Sequence, residues 1–194
     1  MTTPSFAPCR DLDAPSRLAA AALAVEALQE FYERLPFSHE DLLACVADEF
    51  VTEGSELGDA VAALQEGVVV GLFAGYPADA QAERQQQSVF HCLSRLDPDK
   101  LEQALAVLDE HRRSVPTVPA GSFYLARIAV ASAQRGTGLA GKVLDAFRRA
   151  GAGHAGLSLH VRADNRRAIA FYRKNGFALA GTEGMNYQVM SRAT

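Results

Sequence analysis

Apolar residues along the chain recur every three or four positions in some stretches and run together in others, the marks of helices and of buried strands. Leu18, Ala22, Val25, Leu28 and Tyr32 form one helical stripe, predicting a helix capped by Ser16 that runs to Leu35 and is stopped by Pro36. Ser38 followed by Asp41 predicts a second helix through about Phe50, with Asp where a capping box usually carries Glu. Residues 56–65 follow neither period clearly. Gly67–Tyr76 is a nearly unbroken apolar run closed by Pro77, the pattern of a strand covered on both faces. Residues 78–120 are rich in Gln and Glu and read as a helical insertion of one or two helices. Asp97 caps one of them, Pro98 sits in its first turn, and Leu101, Leu105 and Leu108 form its apolar face. Before all of this, residues 1–14 read as a mobile lead-in, because Pro4, Pro8 and Pro15 limit regular structure.

The second half of the chain carries the sharper signals. Tyr124–Val130 reads as a strand and is followed, after a short linker, by the glycine-rich run Arg135-Gly-Thr-Gly-Leu-Ala-Gly141. Leu139, Val143, Ala146 and Phe147 then share a helical face. A further strand, Leu157–Val161, leads to a helix from Asp164 to Asn175 and to Gly176-Phe177. A glycine loop opening a helix is an anion site, since the glycines admit a ligand close to the backbone and unpaired amides point at it. The run Gly136–Gly141 also spells GxGxxG, with Asp164 near the distance of a ribose-binding acid. Its context argues against a dinucleotide fold: five residues separate it from the strand, and too little chain follows for the remaining βαβ units.

Both halves of this stretch resemble the Gcn5-related N-acetyltransferase (GNAT) family. Its acetyl-CoA loop has the form Gln/Arg-x-x-Gly-x-Gly/Ala, and Arg135-Gly-Thr-Gly138-Leu-Ala140 fits it after a strand ending Ile128-Ala-Val130. Its later motif, Asn-x-x-Ala-x-x-x-Tyr-x-x-x-Gly-Phe, is filled by Asn165, Ala168, Tyr172, Gly176 and Phe177. The likeness extends from Phe123 to about Ala180 and is weak over the first 120 residues; a first strand ahead of the first helix, usual in the family, is not evident. The resemblance implies an α/β (α+β) acyl-CoA N-acyltransferase fold: a mixed, mostly antiparallel twisted sheet with helices on both faces and an insertion around 78–120. It implies one domain over 1–194 with an acetyl-CoA core at 121–180. The insertion would cover the acceptor side or a homodimer surface, and the early helices would border the acceptor cleft with Phe31, Tyr32, Glu33 and Phe37.

Composition narrows the partners. Ordinary apolar and charged fractions fit a soluble globular chain, and the apolar run Leu18–Val25 is too short for a membrane span. Asp11, Asp13 and Glu26 around that run argue against a signal-peptide core. Three scattered cysteines suggest neither a disulfide framework nor a zinc site and fit a reducing cytoplasm. The net charge of −4 hides an asymmetry: from Gly121 onward 11 Lys/Arg face 3 Asp/Glu, and before it 8 face 20. A basic C-terminal part suits CoA, and no aromatic-interleaved basic motif suggests nucleic acid.

Acetyl transfer to an amine requires an unprotonated amine, a donor for the carbonyl oxygen, and an acid near the leaving thiolate. By resemblance, Tyr172 is the acid. The amides around Ala129 and Val130 serve the carbonyl, where the central strands splay and the pantetheine of CoA lies beside Ile128, Ala129 and Val130. Arg135, Gly136, Thr137, Gly138, Leu139, Ala140 and Gly141 cradle the pyrophosphate with Lys142 nearby, and Asn165 touches the CoA arm. His160 stands where part of the family has a glutamate base, although a satisfied structural histidine explains it equally. Arg127 cannot be a base; it either holds an acidic acceptor group or pairs with a carboxylate. The expected reaction is direct transfer of acetyl from acetyl-CoA to a primary amine, on a small molecule or peptide, without a metal. A non-catalytic acyl-CoA-binding module and a nicotinamide-dependent oxidoreductase are the alternatives.

Overall fold

The computed structural model describes residues 3–181 and 186–193. Seven strands among them form one sheet: β1 (Ser5–Pro8), β2 (Val61–Gln65), β3 (Val68–Pro77), β4 (Ser122–Val130), β5 (Gly156–Arg162), β6 (Ala178–Leu179) and β7 (Tyr187–Ala193). Their order is β1-β2-β3-β4-β5-β7-β6, and every neighbouring pair is antiparallel except β4–β5. The single parallel pair removes the frame that a doubly wound dinucleotide site requires.

Helices cover both faces. On one, α1 (Ala14–Ala27), α2 (Gln29–Tyr32) and α3 (His39–Glu49) bury Ala20, Ala24, Val46 and Phe50 with Leu72 and Ala74 of β3. On the other, α6 (Leu139–Ala150) and α7 (Arg166–Lys174) bury Val143, Phe147 and Tyr172 with Phe73, Leu125, Leu157, Leu159 and Val161. The face expected on α6 is therefore the one it buries. Among the described residues no helix is long and apolar enough to cross a membrane.

The first third departs from the sequence reading. Ser5–Pro8 is no mobile lead-in: it is the missing first strand, paired with Val61–Leu64, and Cys9 after it is fully buried. Met1 and Thr2 lie outside the described residues. The strand was hidden because four residues flanked by prolines carry no readable alternation. α1 is capped by Asp13, which accepts from the Ser16 amide at 2.9 Å, with Pro15 in the first turn; Ser16 is inside the helix. The helix breaks at Leu28, whose φ of −133° is not helical. Ser38 does cap α3, accepting from the Asp41 amide at 3.1 Å and donating to its carboxylate at 2.6 Å. The ambiguous residues 56–65 supply β2, joined to β3 by Glu66 and Gly67 at φ +52° and +81°, a two-residue turn matched to the sheet twist.

The insertion is two helices, α4 (Gln81–Leu93) and α5 (Leu101–Ser114). Asp97 precedes a short 3-10 turn without capping it by its side chain. α5 buries Ala104 and Val107, whereas Leu105, expected in its apolar face, is half exposed. The insertion packs against α2 and β7: His111 of α5 stacks on Phe31 at 4.5 Å and meets Tyr187 of β7 at 5.5 Å.

Candidate active site

The site begins with a defect in the central strands. Opposite β3, Arg127 pairs with Ala74 and Leu125 with Gly75, so Ala126 is an extra residue, a bulge. A bulge bends its strand and turns the following side chain. On the far side, β4 pairs with β5 only from Ser122↔Gly156 to Leu125↔Leu159, although β4 continues to Val130 and β5 to Arg162. Beyond Leu125 the two strands part, leaving the backbone of 126–130 without a strand partner on its β5 side.

A cleft of about 1020 Å³ opens from this gap. It reaches the glycine loop at one end and α2 at the other, and it brings together Ile128, Ala129, Val130, Arg135, Gly136, Gly138, Ala140, Gly141, His160, Asn165 and Tyr172. A smaller recess of about 670 Å³ between α7 and β6 holds none of these. Three expected cofactor residues are not on the cleft wall. Leu139 is buried in the core beneath α6. Thr137 donates its hydroxyl to the Gln134 carbonyl at 2.7 Å and so shapes the loop from within. Lys142 points to solvent from the first turn of α6.

The loop has the form of an anion cradle. Gly136 and Gly138 adopt φ of +80° and +86°, and a Cβ on either, or on Gly141, would meet no atom within 4 Å. Gly138 precedes α6; the Leu139 amide donates to the Thr137 hydroxyl at 3.4 Å and the Gly141 amide to the Gly138 carbonyl at 3.1 Å, so of the first-turn amides that of Ala140 is left for a ligand in that open space. Arg135 forms an ion pair with Glu26 at the end of α1, which ties the loop to the opposite layer. Asn165 caps α7, its Oδ1 accepting from the Ala168 amide at 3.0 Å; this commits its acceptor and leaves its amide group for the cleft.

Tyr172 is 7 % exposed, on α7, between Phe171 and Phe177 with ring centroids 5.4 Å and 5.8 Å away. Its pKa is raised, and burial is the cause, so the phenol keeps its proton at neutral pH. His160 sits differently from a free base. Its Nε2 is 2.6 Å from the Pro116 carbonyl, which can only accept, so Nε2 carries the proton. Nδ1 then accepts from the Tyr124 hydroxyl at 2.9 Å. Burial pushes the ring below the usual imidazole range, and no lone pair is left to take an amine proton directly.

Beneath the α2 end of the cleft lies a polar network that no local pattern announced. Tyr76 donates to Glu56 at 2.8 Å, Ser88 of α4 donates to Glu49 of α3, and Arg127 reaches the Tyr32 hydroxyl at 3.4 Å. Burial lifts Glu49 to about 7, with the Ser88 hydrogen bond opposing the shift. These six residues come from separated segments of the chain, so only the assembled fold reveals them. No group of metal-ligating side chains occurs among the described residues.

Comparison with known proteins agrees with this geometry. The acetyltransferase (GNAT) family profile matches residues 20–177. A search of curated proteins found no match. Among solved structures, an N-acetyltransferase from Staphylococcus aureus superposes with a TM-score of 0.74 at 18 % identity, covering 96 % of this chain and 99 % of that one. A second acetyltransferase gives a TM-score of 0.70 at 21 % identity, covering 97 % and 98 %. The PaiA N-acetyltransferase of Thermoplasma acidophilum, solved in complex with coenzyme A, gives 0.54 at 12 % identity with both chains fully covered. The splayed strands, the glycine cradle and a profile match over most of its length place this chain in the GNAT family of acetyltransferases.

Proposed function

We propose that the protein transfers the acetyl group of acetyl-CoA to a primary amine by direct attack within a ternary complex. The observation that carries this reading is the separation of β4 from β5 beyond Leu125 and Leu159, which opens a slot between the glycine cradle and the acceptor end. The unpaired edge at 126–130 accepts an extended amide-bearing arm as it would a strand, and the amide of Val130, which faces away from β3, meets the oxygen that becomes negative as the amine attacks. The cradle from Gly136 to Gly141 takes the phosphates.

Tyr172 is the acid of this reading. Its hydroxyl makes no hydrogen bond among the described residues and is free to donate to the departing sulfur. A phenol held above its usual range does not surrender its proton outright to a thiol of pKa about 8.5. It stabilises the thiolate by a charge-assisted hydrogen bond, and the apolar surroundings that raise one pKa raise the other. His160 becomes a positioning residue, holding Tyr124 and the Pro116 carbonyl so that the insertion stays closed on β5. The acceptor amine then loses its proton to solvent, and a small molecule or peptide amine reaches it from the α2 end. Free cysteines at positions 9, 45 and 92 suit a cytoplasmic setting.

Thermal melts with acetyl-CoA, CoA and NADH in parallel test the reading. A ligand at 100 times its Kd stabilises the fold by about 2.7 kcal/mol. Stabilisation by acetyl-CoA and CoA but not NADH, followed by CoA release on adding an amine, is the expected result. A shift with NADH alone would overturn it, and CoA binding without turnover on any amine would leave an acyl-CoA-binding module.

A further inference from the structure

Resting on the acetyl-transfer reading, we propose that Arg127 is the anion-binding residue of the acceptor subsite, so that the acceptor amine also carries a carboxylate, as a free amino acid does. A guanidinium has five N–H donors. Of these, Arg127 places one, on the Tyr32 hydroxyl at 3.4 Å, at the outer edge of a hydrogen bond. Its Nε is buried with no partner among the described residues, and no carboxylate there forms an ion pair with it. Arg127 as a whole is partly buried, and a guanidinium drawn out of water is paired in folded proteins because an uncompensated charge there is costly.

Glu49 and Glu56 are near enough for their charges to act on Arg127. Each has a carboxylate oxygen already engaged, by Ser88 and by Tyr76. They soften the charge of Arg127 without filling its fork. Arg127 lines the cleft, and it does so because the bulge at Ala126 turns it to the face of Tyr32. Phe31, His111 and Tyr187 enclose that end of the cleft with ring stacking.

A planar, singly charged carboxylate matches the guanidinium fork by two parallel hydrogen bonds. A dianionic phosphate would stand against the Glu56 carboxylate, whose charge acts on Arg127, which disfavours it. The spacing along β4 suits a short molecule. Arg127 lies two to three residues from Ala129 and Val130, about 7–10 Å at the rise of a strand. The long arginine side chain shortens the gap that the acceptor spans between its carboxylate and its amine.

The test compares amino acids with their carboxamides and with phosphoethanolamine, by CoA release and by melts in the presence of CoA, in wild type, Arg127→Met and Arg127→Lys. The expected result is a kcat/KM for the best amino acid about tenfold or more above its carboxamide, the size of a charge-assisted hydrogen bond. That ratio should fall to near one in Arg127→Met. Arg127→Lys, which keeps the charge opposite Glu49 and Glu56 and so guards against misfolding, should give a reduced ratio. Equal use of carboxamides, or a ratio unchanged in a folded variant, overturns the inference and leaves acetyl transfer intact. A preference for phosphoethanolamine over every amino acid overturns the carboxylate class. If no acceptor releases CoA, the acetyl-transfer reading fails on its own, and the melts still decide: an amino-acid shift absent for the carboxamide and lost in Arg127→Met supports the subsite, and no such shift overturns it.

Discussion

Tyr172 and His160 show how far residue type alone predicts a role. Both line one cleft, yet among the described residues one hydroxyl makes no hydrogen bond while both ring nitrogens of the other are taken. Replacing Tyr172 with Phe should lower kcat by about 10²-fold or more, the usual range for a positioned acid, with the Kd of acetyl-CoA nearly unchanged. CoA release and ligand melts check this, and an undiminished kcat removes the acid assignment. For His160→Gln, the amide can still donate to Pro116, so the rise of kcat/KM with pH should persist, governed by the acceptor ammonium. Disappearance of that rise would restore His160 as the base. The motif around Tyr172 was legible because it is local to one helix and its end. The hydrogen bonds of His160 were not, since Pro116 and Tyr124 lie 44 and 36 residues away.

Elements behaved as sequence predicts where their periodicity is long. α6 buried the residues its spacing singled out, and the loop before it took the left-handed turns that its glycines permit. Gly138→Ala tests that loop. At φ +86° an alanine costs about 1–2 kcal/mol in stability, seen as a lower Tm. The new methyl also enters the open space in front of α6, so acetyl-CoA affinity should fall by more than the stability loss explains. Unaltered affinity in a folded G138A would place the phosphates elsewhere. Simple alternation failed on β4. Counted from Tyr124 it sends Arg127 to the opposite face, whereas the extra residue at Ala126 returns it to the same one. A one-residue bulge leaves no mark in an apolar run, and β1 was too short to show any period at all.

At the scale of the whole molecule, buried ionisable groups link stability to pH. The carboxyl of Glu49 shifts from 4.5 to about 7 on folding, so it stays protonated in the fold at pH values where the unfolded chain has lost the proton. Its contribution is full below about pH 4.5 and lost as pH rises through about 7, up to about 3 kcal/mol in size. His111 acts in the opposite sense: burial lowers it from 6.5 to about 4, so its contribution is present above 6.5 and lost as pH falls toward 4. Glu49→Gln can keep the Ser88 hydrogen bond and does not titrate. Its Tm should therefore gain on wild type between about pH 5 and pH 8. Parallel curves would show that Glu49 is not held protonated. By itself the sequence determined the glycine-loop half of the cleft, because a glycine cradle and a capped helix are built from neighbours in the chain and their spacing is their structure. The α2 end of the cleft was decided by tertiary structure. There Arg127, Tyr32, Glu49, Glu56 and His111 are gathered from segments far apart by a bulge, a strand separation and an inserted helix pair, and physical proximity of that kind leaves no period to read.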